Sequence, residues 1–135
     1  MIAFVSKSEA DCRTLRETAG RLSQSVVACA DVRDARRAIR WYAPEIVVCE
    51  ARETGNWQEL LQEAQAARSL LLIVSRHADE RLWAEVLNLG GFDVLSLPVD
   101  RDELRRVLSS ALRHSPRDSF AAAARGSLAT AGSSL

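Results

Sequence analysis

An α/β fold is predicted, with a buried parallel sheet and helices packed on both of its faces. Three observations predict it. Five short apolar runs punctuate the chain, at residues 2–5, 26–29, 46–49, 70–74 and 92–95, and none alternates polar with apolar residues. Unbroken runs of Val, Ile and Leu suit strands buried on both faces, as parallel strands are. The segments between them carry apolar residues at helical spacing, and strict β-α alternation with short links leaves right-handed parallel crossovers as the economical topology. A length of 135 residues fits one domain around one sizeable core.

Each element can be justified in order. Residues 2–5 (Ile-Ala-Phe-Val) are the first strand. Ser8 then stands three residues before Asp11, the pattern of a helix N-cap. In that helix Cys12, Leu15, Ala19 and Leu22 fall on one face, and Gly20 weakens it by roughly 1 kcal/mol relative to alanine. Residues 26–29 are the second strand. Asp31 with Asp34 opens the second helix, whose apolar stripe is Val32, Ala35, Ile39 and Tyr42. Its other sides carry Arg33, Arg36, Arg37 and Arg40. With two aspartates beside them and a formal net charge of zero, these arginines are expected to form a solvated face, not a nucleic-acid site.

Pro44 breaks the second helix, and residues 46–49 form the third strand, which ends on Glu50 and a polar loop over 51–55. Asn56 with Glu59 starts the third helix, with Trp57, Leu60, Leu61 and Ala64 facing inward. Residues 70–74 are the fourth strand. Asp79 caps a fourth helix with the stripe Leu82, Trp83, Val86 and Leu87, and Gly90-Gly91 stops it, because glycine tolerates a left-handed turn. Residues 92–95 are the fifth strand. Asp100 with Glu103 opens the fifth helix, striped by Leu104, Val107, Leu108, Ala111 and Leu112. The domain is therefore placed at 1–114. Residues 115–135 are rich in Ala, Ser and Gly, and a flexible tail is expected there.

For five such strands the expected architecture is a flavodoxin-like (βα)5 three-layer sandwich with strand order 2-1-3-4-5. The first and third strands are then neighbours, and their C-terminal ends flank the switch-point crevice where open α/β sheets bind ligands. Ser6 and Lys7, Glu50, Ser75 with Arg76 and His77, and Ser96 with Leu97 and Pro98 are presented along that edge.

Several function classes lose support. Zero net charge gives no bulk attraction to nucleic acid or to an anionic membrane. The three cysteines, Cys12, Cys29 and Cys49, show neither a CxxC pair nor a neighbouring histidine pair, against a disulfide framework or a zinc site. No apolar run approaches the roughly 18 residues of a membrane span. A reduced, cytoplasmic protein is expected. GxGxxG, Walker and GxSxG patterns are missing, and the two histidines, His77 and His114, lie far apart, so surface roles are expected for both. Cys49 is expected to be a buried structural thiol.

The chain resembles a bacterial response-regulator receiver domain, of the chemotaxis-regulator type, over residues 1–114. The segment 44–50 looks like that family's third strand, a proline and an acid leading through apolar residues to the phospho-accepting position. Ile73-Val74-Ser75 looks like its fourth strand ending on a small hydroxyl residue. Residues 90–99 resemble its glycine, fifth strand and Lys-Pro turn, and Asp100, Glu103 and Leu104 match the opening of its last helix.

The resemblance implies a degenerate pocket. Glu50 stands at the phospho-acceptor position. Ser6 and Lys7 replace the two acids that help hold magnesium, Leu97 replaces the lysine, Ser75 keeps the hydroxyl, and Val94 replaces the switch aromatic. Such a pocket implies a pseudo-receiver of two-component or phosphorelay signalling, not an enzyme, with no catalytic residue, metal or other cofactor. It would act by protein–protein interaction, independently of phosphorylation. Glu50 reads either as a built-in phospho-aspartate mimic countered by Lys7 or as a solvated strand-end carboxylate. Two other functions stay open: a phosphorylatable receiver with altered chemistry at Glu50, and a small flavodoxin-like enzyme or ligand-binding domain. The implied partner is a histidine kinase or another signalling protein, or a second copy of the chain. The face for it is formed by the fourth helix, fifth strand and fifth helix, with Trp83, Arg101 and Arg105 as candidate contacts; neither nucleic acid nor membrane is expected.

Overall fold

The computed structural model describes residues 1–54 and 56–115. Of the expected tail at 115–135, all but Ser115 lies outside the described residues. Five strands, β1 (Ile2–Val5), β2 (Val26–Cys29), β3 (Ile46–Glu50), β4 (Leu70–Ser75) and β5 (Asp93–Ser96), form one sheet in the order β2-β1-β3-β4-β5. All pairings are parallel, and β1 registers with both neighbours, Ile2 opposite Val26 and Ile46. The helices are α1 (Glu9–Arg21), α2 (Val32–Tyr42), α3 (Ala51–Thr54), α4 (Trp57–Ala66), α5 (Glu80–Asn88) and α6 (Arg101–His114).

Side chains alternate across each strand, so the unbroken apolar runs feed two cores. Ala3, Val5, Val47, Cys49, Leu71 and Ile73 pack with α2 and α4 on one face. Ile2, Phe4, Ile46, Val48, Leu72 and Val74 pack with α1 and α6 on the other. That is why no strand shows an apolar-polar alternation.

Local signals act where their chemistry allows. Ser8, Asp31, Asp79 and Asp100 each accept a backbone N–H of the first helical turn. Asn56 does not: its side chain makes no cap bond to α4, which starts from Trp57 packed in the core. Gly90 takes the left-handed conformation, φ 97°, and Gly91 donates to the Val86 carbonyl at 2.8 Å. A Cβ on Gly91 would meet Val86 Cγ1 at 2.4 Å, so close approach of the chain to α5 requires glycine there.

The structure differs from the sequence expectations at further points. The strands β3 and β4 each run one residue further, to Glu50 and Ser75, and β5 begins at Asp93, after Phe92. The loop after β3 contains one helical turn, α3. Tyr42 is exposed, because it is the last residue of α2 and Ala43 turns left-handed (φ 46°) toward Pro44; Ala38 fills the core with Ala35 and Ile39 instead. In α5, Val86 is buried while Trp83 is 51% exposed.

Candidate functional site

The C-terminal edge of the sheet gathers residues from four strand ends. The Ser6 amide donates to the Cys29 carbonyl at 3.3 Å, which ties the end of β1 to β2. The Ser6 hydroxyl accepts the Ser8 N–H at 3.0 Å, and Ser8 in turn caps α1, so Ser6 is buried while Lys7 between them is exposed. Glu50 closes β3 opposite Val74, and only 7% of it reaches solvent. It is thus a largely enclosed carboxylate, not a solvated strand-end one.

Ser75 is buried at the end of β4, its hydroxyl accepting the His77 N–H at 3.1 Å and its carbonyl accepting the Leu97 N–H at 2.9 Å. Leu97 is 8% exposed and belongs to the α1–α6 core, next to a cis peptide bond with Pro98. Ser6, Lys7, Glu50, Ser75 and Leu97 thus contribute one carboxylate, two engaged hydroxyls, one exposed ammonium and one apolar side chain to this edge. Among the described residues no group of three His, Cys, Asp or Glu side chains is arranged to hold a metal ion.

Val94 and Trp83 come together elsewhere. Val94 sits opposite Ile73 in the sheet and packs against the α2–α4 core. With Trp83, Ala78, Asp79, Glu80 and Ser96 it lines a cleft of about 280 Å³ between α5 and β5. The acidic rim formed by Asp79 and Glu80 escapes a reading of the sequence, where Asp79 is simply a cap. Arg101 and Arg105 are not part of this cleft. Arg101 bonds Glu17 of α1 at 2.9 Å, and Arg105 lines a recess with Glu17 and Arg21 between α1 and α6. Of the three candidate contacts, Trp83 alone lines this cleft, while Arg101 turns toward α1.

Cys29 and Cys49 are buried thiols outside any disulfide, and burial with Asp34 and Asp31 nearby pushes the Cys29 thiol up to about 11. Both histidines are exposed; His114 lies at 2.8 Å from the Ser110 carbonyl, its ring 6.3 Å from that of Phe92.

No family model matches the sequence, and no curated protein matches it. Solved structures do match. The signal receiver domain of a LuxO repressor protein from Vibrio parahaemolyticus superposes with a TM-score of 0.78 at 14% identity, covering 89% of this chain and 95% of its own. The signal receiver domain of an HD domain-containing protein from Pseudomonas fluorescens reaches 0.72 at 21% identity, with coverages of 84% and 94%. The beryllofluoride-activated NtrC4 receiver domain dimer reaches 0.74 at 14% identity, with coverages of 84% and 96%.

This is the receiver-domain fold. The match spans nearly the whole of each neighbouring receiver domain, so the superposition is domain upon domain. In the receiver fold the crevice between the ends of β1 and β3 is a topological switch point, and Ser6, Lys7 and Glu50 are what this chain places there. No helix among the described residues is long and apolar enough to cross a membrane.

Proposed function

We propose that the chain is a receiver-like signalling module that acts by binding a protein partner and does not transfer phosphoryl groups. The observation that carries this reading is the make-up of the strand-end crevice. Magnesium takes oxygen ligands, usually including carboxylates. Here Ser6 and Lys7 hold the two positions where receivers supply acids; the Ser6 hydroxyl is already engaged by Ser8, and Lys7 brings a positive charge. This residue set does not fit a magnesium ion. Phosphoryl transfer rests on positioning and charge neutralisation, and Leu97, at the lysine position, is packed into the core. Glu50 then serves as a fixed negative charge at the end of β3, and the module has no enzymatic activity of its own.

The partner surface in this reading is the α5–β5 cleft. Val94 is smaller than an aromatic residue, and the half-exposed Trp83 lines the same cleft with Asp79 and Glu80. A signalling protein, such as a histidine kinase, or a second copy of the chain would seat an apolar side chain between Trp83 and Val94. One structural neighbour, the beryllofluoride-activated NtrC4 receiver domain, is a dimer.

The test is incubation of the full chain with acetyl phosphate, or with beryllofluoride plus magnesium, followed by intact-mass and NMR analysis. Neither a phospho-adduct nor a magnesium-dependent spectral change is expected. A stable adduct on Glu50 would sink this reading in favour of a phosphorylatable receiver.

A further inference from the structure

The outward face of α2 is a surface that neither the sheet nor the crevice uses. Arg33, Arg37 and Arg40 follow one another at i, i+4 and i+7, with Trp41 at i+8, so the four share one side of the helix. All four are exposed, and Trp41, at 76%, exceeds every other large apolar side chain among the described residues. The opposite side, Ala35, Ala38 and Ile39, is buried in the core.

The same helix shows what a neutralised arginine looks like here. Arg36 turns to α4 and is held by Glu59 at 2.8 Å and Glu63 at 2.9 Å. The outward three have a single counter-charge among the described residues, Asp34, which lies 3.8 Å from Arg37 and already accepts the Ala30 N–H. Folding requires only the inward stripe of this helix. Neither the exposed indole nor the surplus cations contribute to that stripe. Arg40 also borders a groove of about 490 Å³ between α2 and α4, floored by Ile39, Ala43, Ala66 and Ala67.

We infer that this face of α2 binds an acidic segment of a partner protein, with carboxylates on Arg33, Arg37 and Arg40 and an apolar side chain against Trp41. Charge complementarity selects the occupant: guanidinium forks pair with carboxylates bidentately, and Trp and Arg together mark interface hot spots. A nucleic acid is the other polyanion to weigh. The chain has zero formal net charge, and Asp31 and Asp34 sit at the start of the same helix, which disfavours a phosphate backbone running along it. The surface is separate from the α5–β5 cleft, so it stands whether or not the reading of that cleft holds.

The experiment uses the full chain labelled with nitrogen-15 and three probes: a synthetic peptide of alternating Glu and Leu, the same peptide with Lys for Glu, and a single-stranded DNA oligonucleotide. The acidic peptide should shift the Trp41 indole N–H and the α2 amides saturably, and more weakly as salt is raised. Trp41→Ala and Arg37→Glu should each weaken it on the order of tenfold. The same charge reversal on α6, Arg113→Glu, should leave it unchanged. All three positions are exposed, so each variant should unfold at the wild-type temperature, which makes the affinities comparable. The inference is overturned if the acidic peptide causes no shift, if the basic peptide binds equally well, if DNA binds more tightly, or if Trp41→Ala and Arg37→Glu leave the affinity intact.

Discussion

At the residue scale, the strand-end crevice turns on side chains whose positions the sequence reveals and whose surroundings it does not. The positions of Ser6, Lys7, Glu50, Ser75 and Leu97 were legible, because strand ends follow from the apolar runs. Their exposure was not: that Glu50 is 7% exposed while Lys7 is open to solvent is set by tertiary packing, which no local pattern encodes. If the crevice has lost phosphoryl chemistry through these substitutions, restoring them should return it. The variant Ser6→Asp/Lys7→Asp/Glu50→Asp/Leu97→Lys is expected to take up beryllofluoride in the presence of magnesium, seen by fluorine NMR, where the wild type does not. A second prediction concerns Cys29, whose folded-state thiol sits at about 11 against an ordinary 9.0, chiefly through burial. Below pH 9.0 both folded and unfolded chains keep the proton; between 9.0 and about 11 the unfolded chain loses it first. Stability is therefore present below that window and lost across it, by on the order of 2 kcal/mol. Urea unfolding at increasing pH should show this fall, and Cys29→Ala should reduce it.

At the element scale, caps and stops read well from sequence because their physics is local. A side-chain oxygen three residues before a helical amide, or a glycine pair after a periodic stripe, needs no knowledge of the rest of the chain. Asn56 shows the limit: it has the right type and spacing, yet α4 is anchored by Trp57 in the core and forms without the cap bond. Tyr42 and Trp83 show another. Both lie on helical stripes, but a stripe is buried only as far as the sheet extends beneath it, and that reach is a tertiary property. The stop after α5 carries its own prediction. Gly91→Ala drives a methyl group to within 2.4 Å of Val86, a fully buried residue, and should destabilise the chain by about 1–3 kcal/mol, measured by thermal unfolding. Gly20→Ala, with nothing within 4 Å of the added carbon, should be neutral or stabilising in the same assay.

At the scale of the whole molecule, one sheet divides the interior into two cores, and strand order follows from the chain alternation with few alternatives left. Leu71 and Leu72 are sequence neighbours that face opposite cores, each almost wholly buried. Truncating either to alanine should cost about 2–5 kcal/mol. Because both cores share the same strands, each variant should still unfold in a single transition that circular dichroism and fluorescence report alike. Separate transitions would show that the two faces fold independently. The distribution of aromatic residues has a practical consequence of its own. Trp57 is 5% exposed within the α2–α4 core, Trp83 is 51% exposed at the α5–β5 cleft, and Trp41 is 76% exposed on α2. The chain thus carries three intrinsic optical reporters graded by access to solvent. A water-borne quencher such as acrylamide should extinguish Trp41 first and Trp57 last, so that single-tryptophan variants would read occupancy of each surface and the integrity of the interior without any added label.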